Sequence, residues 1–229
     1  MAKHGKKYRA VKEKAPTEVL ELGKAIEFLK ANPVAKFDET FDLALNLGVD
    51  PAKTEQTVRG TVGLPHGTGK AVRVLVFATG AAADAAKQAG ADNVGFEDLI
   101  EKIKGGWLDF DVAVATAEAM KEVRKLGKVL GPRGLMPNPK TGTVTDDTAL
   151  AVKQSKAGKV EFRMDKNGNV CVPFGKRSFD ANKLVENAEA IIGAVKAEKP
   201  AGAKGAFIRK CSISTTMGVG LRVDVKDEE

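Results

Sequence analysis

The sequence predicts a two-domain protein of mixed α and β structure. A split antiparallel α+β domain (residues 1–67 and 159–229) carries an inserted parallel α/β domain (residues 68–158). In the outer segments, apolar and polar residues alternate along each strand, as expected for sheets with one wet face. In the middle segment, nearly continuous apolar strands alternate with helices, as in parallel α/β domains. A length of 229 residues is compatible with two domains.

The first outer segment begins with a predicted helix over residues 17–32. Apolar residues recur there at three- and four-residue spacing, and Asn32-Pro33 ends the pattern. Strict alternation over residues 41–47 then predicts a half-buried strand. Asp50-Pro51 predicts the start of a short helix, and residues 57–62 return to an extended pattern.

The middle segment follows a turn-rich linker at residues 64–69. Its first strand, residues 72–77, is almost wholly apolar and is therefore predicted to be buried on both faces. A second buried strand is predicted at residues 111–115, and a short extended piece near Asn93. The helices between and after these strands are predicted at residues 81–89, 96–104, 117–128 and 147–156.

The second outer segment returns to alternating strands. Residues 160–164 and 170–174 flank a turn at 166–169 and predict a hairpin. Asp180 is predicted to cap a helix that runs to about residue 195, and residues 209–225 form the last strand pair. The two cysteines, Cys171 and Cys211, lie within such alternation, so both are predicted to be buried apolar residues without a disulfide.

Composition and charge narrow the classes of function. The net charge is +7, which favours a polyanionic partner. No apolar run approaches the roughly 20 residues of a membrane helix, and the amino terminus lacks the apolar core of a secretory signal, so we expect a cytoplasmic protein without membrane contact. The first 14 residues hold six basic side chains and one acid. Such an arm either orders on meeting phosphate or serves as a solubilising tail.

Sequence patterns that carry catalytic or metal chemistry are absent from the chain. The stretch at residues 66–70 resembles a nucleotide-binding loop, but Ala71 stands where a hydroxyl must bind magnesium, and the strand follows the loop. His4 and His66 lie far apart and share no metal-ligand spacing with a cysteine. We therefore expect no metal, no cofactor and no enzyme activity. A nucleotide-dependent α/β enzyme using residues 68–158 is the alternative.

Two irregular stretches could contact a polyanion. Residues 214–220, the tip of the last strand pair, combine hydroxyls with two glycines and lack a carboxylate, which suits a phosphate or a ribose; an ordinary hairpin turn is the alternative. Residues 128–144 are rich in glycine and proline and carry Lys128, Arg133 and Lys140 without an acid. This stretch is predicted to lack regular structure and is either a connecting loop or a surface loop that approaches phosphate.

Several stretches together resemble a known family. GKVLGPRGLMPNPKTGTVT at 127–145 and STTMGVG at 214–220 closely resemble signatures of the large-subunit ribosomal protein L-one family, and the similarity extends to KFDET at 36–40, TVRGTVGLPHGTGK at 57–70 and FRMDKNGNV at 162–170. The resemblance implies a discontinuous domain I and an inserted Rossmann-like, three-layer domain II. It also implies binding to the 23S rRNA of the mobile stalk, help in releasing deacylated tRNA from the E site, and repression of the protein's own operon mRNA.

The resemblance further implies which residues contact RNA. Hydroxyls and backbone groups can read ribose 2′-OH groups, and cations neutralise phosphate. Asp165 would have to accept from a base amino group or orient Arg163, and Phe37 is either a flat contact or a core aromatic. Lys128, Arg133 and Lys140 are secondary candidates. The implied principal surface consists of Lys36, Phe37, Thr40, Arg163, Asp165, Lys166, Ser214, Thr216, Met217 and Gly218.

Overall fold

The computed structural model describes residues 5–51, 53–200, 202–203 and 205–225, without the side chains of residues 54 and 140. The chain forms helices and several separate sheets, which confirms the predicted mixed α and β class. Contacts divide it into two compact units. Unit 1 comprises residues up to Gly69 and from Val160 onward, and unit 2 comprises Lys70–Lys159.

The strands and helices alternate irregularly along the chain. The strands are β1 (Thr40–Leu47), β2 (Arg59–Gly63), β3 (Val74–Phe77), β4 (Asn93–Gly95), β5 (Val112–Ala115), β6 (Lys159–Arg163), β7 (Asn169–Lys176), β8 (Ile208–Thr215) and β9 (Leu221–Val223). The α-helices are α1 (Lys6–Lys14), α2 (Leu22–Ala31), α3 (Gly80–Gln88), α4 (Glu97–Lys104), α5 (Met120–Val123), α6 (Gly127–Leu130), α7 (Thr148–Lys156) and α8 (Ala181–Ala197). Short 3₁₀ turns cover Thr54–Gln56, Arg124–Leu126 and Pro139–Thr141.

Unit 1 is built on an antiparallel sheet with the strand order β7-β1-β8-β9. The alternation in β1 separates its two faces as predicted, because every second residue from Phe41 to Leu47 is buried. These side chains share one core with Ile26 of α2 and Leu184 of α8, so both helices cover that face. Each large apolar side chain buried there contributes about 1.5–3 kcal/mol. The opposite face carries the even-numbered residues of β1.

Unit 2 contains a parallel sheet with the order β4-β3-β5. All four residues of β3 are buried, as the apolar run predicts. Val74 and Val76 pack on one side with Val152 of α7, whereas Leu75 and Phe77 pack on the other. The sheet therefore lies between two helical layers, each with its own core. The second core includes Leu99, Ile100 and Ile103 of α4.

The first long helix begins later than predicted. The predicted helix begins at residue 17 with Thr17 as its cap, but α2 starts at Leu22, and Glu21 occupies the first cap position. The residues before it pair with the edge of β9 instead: the Leu20 N–H donates to Arg222 O, and the Asp224 N–H donates to Leu20 O. This pairing satisfies backbone groups that a longer helix would have used. The short helix expected at Asp50-Pro51 is likewise replaced by the 3₁₀ turn that follows it.

The prediction that residues 160–164 and 170–174 pair with each other as a hairpin is wrong. β6 pairs with β2, and β7 pairs with β1, so the two strands belong to different sheets. The two segments meet only at the turn between them, which is closed by a hydrogen bond from the Asp165 N–H to Asn169 O.

The two cysteines differ in burial. Cys171 is exposed, contrary to its predicted burial, because it faces away from the helices. Cys211 is buried as predicted, and both thiols are free.

Three further differences have local causes. Residues 6–14 of the basic arm form α1 because Tyr8 and Val11, three residues apart, pack against the core of unit 1; residues 1–4, including His4, lie outside the described residues. The helix predicted at 117–128 consists of α5, a 3₁₀ turn and α6. Asp180 occupies the first cap position of α8 without a side-chain capping bond.

A buried amide fixes the end of the first outer segment. The Oδ1 atom of Asn187 accepts from the His66 N–H at 3.1 Å, and its Nδ2 donates to Gly67 O at 2.9 Å and to Phe174 O at 2.8 Å. Asn187 is completely buried within α8. One side chain therefore holds the last residues before unit 2 against strand β7.

Candidate nucleic-acid interface

The tip between β8 and β9, residues 214–220, is firmly held at its base and exposed at its end. The Gly218 N–H donates to Thr215 O at 3.0 Å and closes the turn. Val219 is buried in the core of unit 1, whereas Thr216 is exposed and Met217 is 53% exposed. The tip thus presents a hydroxyl and a pliable apolar side chain from a fixed backbone.

Thr40 and Thr216 form a clasp between the start of β1 and the tip. The Thr216 N–H donates to Thr40 O at 3.1 Å, and the Thr40 N–H donates to Thr216 Oγ1 at 3.0 Å. Lys176 Nζ donates to Thr40 Oγ1 at 2.7 Å. Two hydroxyls and one ammonium group therefore lie together at this end of the sheet. The Thr40 hydroxyl, which accepts from Lys176, can still donate to a ligand. The Thr216 hydroxyl also donates to Thr40 O at 3.4 Å, so it offers a ligand mainly its remaining lone pair.

Gly218 is required by a close contact. A Cβ atom at this position would lie 2.1 Å from Oγ1 of Thr215. Thr215 is only 5% exposed, so its side chain has little room to move away. Any side chain at position 218 must therefore displace the tip.

Lys36 and Phe37 precede β1 and are exposed, so the core interpretation of Phe37 is wrong. Phe37 is 53% exposed, an unusual position for a large aromatic side chain. The loop that carries it is fixed by Asp38, whose two carboxylate oxygens accept from the Ser178 N–H at 3.0 Å and from Ser178 Oγ at 2.9 Å. An anchored, exposed phenyl ring can stack on a nucleic-acid base.

Asp42 belongs to the same surface but does not occur among the sequence-predicted residues. It pairs with Ser214 across the β1–β8 ladder, on the face that carries Thr40. Partial burial raises the pKa of the Asp42 carboxyl, and the charge of Lys176 opposes the shift. The sequence contained the information needed to predict Asp42 as a surface residue of this site. Asp42 lies two residues after Thr40 in an alternating strand, so both side chains lie on the same face of the sheet.

Replacing Asp42 with asparagine is expected to stabilise the free protein slightly at neutral pH. Because burial raises its pKa, the ionised carboxylate destabilises the folded state above that pKa, and the penalty disappears when the group is protonated. The melting temperature of Asp42→Asn should exceed that of the wild type at pH 7, and the gap should narrow as the pH falls toward 4. A gap that widens with acidification would contradict this account.

The predicted residues Arg163, Asp165 and Lys166 lie at the opposite end of β1. Asn46, near the end of the strand, pairs with Asn169, and the Leu47 N–H donates to Gly168 O at 2.8 Å. Seven strand residues, about 23 Å at the usual rise, separate this turn from Thr40. The structure therefore brings together the predicted residues around Thr40 and Thr216 but leaves the turn at 165–169 as a separate cluster.

Asp165 organises its own turn. Its Oδ1 accepts from the Asn167 and Asn169 N–H groups, both at 2.8 Å, and its Oδ2 accepts from Asn169 Nδ2 at 3.3 Å. These hydrogen bonds, led by that of Asn169, lower the pKa of the Asp165 carboxyl. Of the two alternatives for Asp165, orientation of Arg163 is not observed, because the hydrogen bonds of both carboxylate oxygens go to groups of the turn. Arg163 and Lys166 are exposed beside it.

The secondary candidates lie in unit 2. Lys128 on α6 and Arg133 in the following turn are exposed, and the side chain of Lys140 lies outside the described residues. Contrary to the prediction, residues 128–144 include regular turns, namely most of α6 and the 3₁₀ turn Pro139–Thr141. Local polar bonds, such as that from the Asn138 N–H to Thr143 Oγ1 at 2.8 Å, hold the rest of the stretch.

The described residues contain neither a metal-binding cluster nor a membrane-spanning helix. No group of three or more histidine, cysteine, aspartate or glutamate side chains in this part of the chain could hold a metal ion. No helix in the same part is long and apolar enough to cross a membrane. Residues 66–70 precede β3, whereas a phosphate-binding loop follows its strand.

Comparisons with known proteins agree with one another. The sequence model of the Ribosomal protein L1p/L10e family matches residues 29–219. The chain is 55% identical to the large ribosomal subunit protein uL1 of Teredinibacter turnerae over 225 residues, or 98% of this chain and 97% of that protein. It is 54% identical to the same protein of Methylobacillus flagellatus, covering 98% of each chain. For Saccharophagus degradans the identity is 55%, covering 98% of this chain and 97% of that protein.

Proposed function

The chain belongs to the ribosomal protein L1p/L10e family, and from this premise we propose that it binds 23S rRNA directly as part of the stalk of the large ribosomal subunit. The single observation that carries the proposal is the Thr40–Thr216 clasp, which lies in the same unit as two exposed apolar side chains, Phe37 and Met217. Exposed hydroxyls and apolar contacts on one rigid base suit a folded RNA surface.

Each residue of the tip surface has a distinct proposed role. The hydroxyls of Ser214 and Thr216 and the backbone near Gly218 read ribose 2′-OH groups. Phe37 and Met217 contact base faces or sugar edges. Asp42 accepts from a base amino group, which offsets its repulsion of phosphate. The cations of this surface, Lys36 and Lys176, neutralise phosphate.

We further propose that the two domains have different roles and that the protein has partners besides rRNA. A split domain I, residues 1–67 and 159–229, holds the rRNA, and an inserted Rossmann-like domain II, residues 68–158, moves on the two linkers during release of deacylated tRNA from the E site. Lys128, Arg133 and Lys140 supply secondary RNA contacts. The same domain I surface binds the operon mRNA and represses its translation. The protein acts on the ribosome in the cytoplasm, without a cofactor or a catalytic residue.

A binding comparison tests this function. The full chain is titrated with a stalk rRNA fragment, with an unrelated structured RNA of equal length, and with a labelled nucleotide. We expect tight, salt-dependent binding of the stalk fragment, competition by the operon mRNA, and no nucleotide binding. Equal affinity for both RNAs would contradict specific stalk recognition. Saturable nucleotide binding without stalk binding would favour the alternative enzyme in residues 68–158.

Replacing Thr216 with valine is expected to weaken stalk rRNA binding by about 1–3 kcal/mol, or about 5- to 150-fold. RNA polar groups lose their hydroxyl partner, and the Thr40 N–H loses the acceptor that holds the clasp. Thr216→Ser is the matched control, since it keeps the Oγ atom that bonds Thr40. Filter binding measures both variants, and their melting temperatures report folding. Near-wild-type affinity of Thr216→Val would count against the tip, as would equal losses in both variants.

A further inference from the structure

The last strand pair opens into a pocket at the end away from the tip. β9 ends at Val223, which lies opposite Cys211 of β8. Past this point the chain pairs with Leu20 instead, because the Asp224 N–H donates to Leu20 O at 2.9 Å. β9 therefore does not extend alongside residues 208–210 of β8, which line a pocket of about 220 Å³ together with β9 and the residues after it.

The pocket is basic. Arg209, Lys210 and Arg222 line it together with one acid, Asp224, and all four side chains are exposed. Within the described part of the chain, none of the three cations forms an ion pair or a side-chain hydrogen bond. Three positive charges and one negative charge leave the pocket with a net charge of +2. An anion is therefore the expected occupant.

The sequence places acidic side chains directly after the pocket. Val225 lines the pocket, and the sequence KDEE follows it at residues 226–229, which lie outside the described residues. These four residues carry one positive and three negative charges, a net charge of −2, which opposes the charge of the pocket. Four residues span at most about 14 Å of extended chain, so all three acids are within reach of the pocket.

A segment of the same chain has an advantage over a separate anion. Each exposed ion pair stabilises a contact only weakly. A short covalent connection, however, gives the segment an effective concentration in the millimolar range, so weak contacts are sufficient to hold it. Val19, which is 58% exposed, also lines the pocket, so an occupant can cover apolar surface there as well.

We propose that the acidic segment at residues 227–229 occupies this pocket in the free protein, where its carboxylates pair with Arg209, Lys210 and Arg222. The segment thereby withholds these cations from unrelated polyanions. The inference goes beyond the proposed rRNA binding and does not depend on it, so an experiment on the free protein can contradict one without the other.

Carbodiimide cross-linking tests the contact in the free full chain, because the reagent joins a carboxylate to an amine that it touches. Mass spectrometry after proteolysis should show Lys210 linked to residues 227–229 at low salt. The link should be lost at about 1 M salt, where the screening length is about 3 Å. Lys36 is the control, because it is exposed and precedes β1, at the opposite end of the sheet from the Asn46–Lys210 pair. Absence of the Lys210 link, or an equal link at Lys36, would overturn the inference.

An equal mixture of unlabelled and ¹⁵N-labelled protein separates contacts within one chain from contacts between two copies. We expect every Lys210 link to join peptides of the same isotope composition. Links of mixed composition in the proportion expected for random pairing would place the acidic segment of a second copy in the pocket. That result would overturn the assignment to the same chain.

Heparin affinity gives an independent readout, because heparin is a polyanion unrelated to RNA. Removing the three negative charges of the segment should raise the affinity of the full chain for heparin by about tenfold at low salt, since the pocket cations become available. The variant combines Asp227→Asn, Glu228→Gln and Glu229→Gln.

The matched control removes three exposed acids from α4 and changes the net charge equally. Its affinity for heparin should rise by no more than about twofold, because these acids do not cover the pocket. Equal rises in the two variants would show a general effect of charge and would overturn the inference. The control combines Glu97→Gln, Asp98→Asn and Glu101→Gln.

Discussion

Replacing Gly218 with alanine is expected to weaken binding of the stalk rRNA by about tenfold to a hundredfold. The added Cβ would lie 2.1 Å from Oγ1 of the buried Thr215, so the tip must shift away. Overpacking of this kind costs about 1–3 kcal/mol. The shift also moves Thr216 and Met217, which lie between the two residues that clash. RNA contacts made by the whole tip should therefore weaken together.

Gly220→Ala is the matched control for this prediction. Gly220 lies two residues further along the same tip, and a Cβ there would meet nothing within 4 Å. Its backbone is not in the left-handed region that favours glycine. Equilibrium filter binding should therefore give near-wild-type affinity for Gly220→Ala and a clear loss for Gly218→Ala. Equal affinities of the two variants would contradict the proposed role of the tip geometry.

Replacing Asn187 with leucine is expected to lower the free energy of unfolding by about 3 kcal/mol or more. Leucine has a similar size, but it leaves the buried carbonyl of Phe174 without its partner, together with the partly buried His66 N–H and Gly67 carbonyl. Each buried polar group left unpaired costs about 1–3 kcal/mol, and added apolar burial offsets only part of this. Urea denaturation followed by circular dichroism measures the loss.

Asn182→Leu separates this effect from a change in helix propensity. Asn182 lies on the same helix, α8, but is exposed, so the substitution leaves no buried group unpaired. Its free energy of unfolding should remain within about 0.5 kcal/mol of wild type. A loss as large as that of Asn187→Leu would show that the amide bonds are not responsible.

Residue patterns in the sequence were sufficient to predict most strands and their faces. Alternation over residues 41–47 predicted which side chains of β1 are buried, and the apolar run before residue 78 predicted a strand buried on both faces. Pairing between distant segments could not be predicted in this way. β6 joins β2, about a hundred residues away, and Leu20 joins the edge of β9. Local periodicity carries no information about which strand lies alongside.

The candidate site was likewise predictable in its local composition but not in its long-range contacts. The hydroxyl and glycine content of residues 214–220 predicted a contact surface there, but the bonds between Thr216 and Thr40 depend on the pairing of β1 with β8. That pairing also brings Asp42 beside Ser214. The register of β1 and β7 also places Arg163 and Lys166 far from the tip, and no sequence motif indicated this separation. Asp165, a predicted contact, uses its oxygens to hold its own turn.

We propose that hydroxyl and backbone groups of the tip read the RNA while charge plays a supporting part. The most direct measurement is the affinity of the full chain for stalk rRNA as a function of salt concentration, with wild type and Thr216→Val compared. We expect two parallel lines of log K against log salt, with the variant weaker at every concentration, because the lost contact is not ionic. Lines that coincide, or that differ only in slope, would contradict the claim.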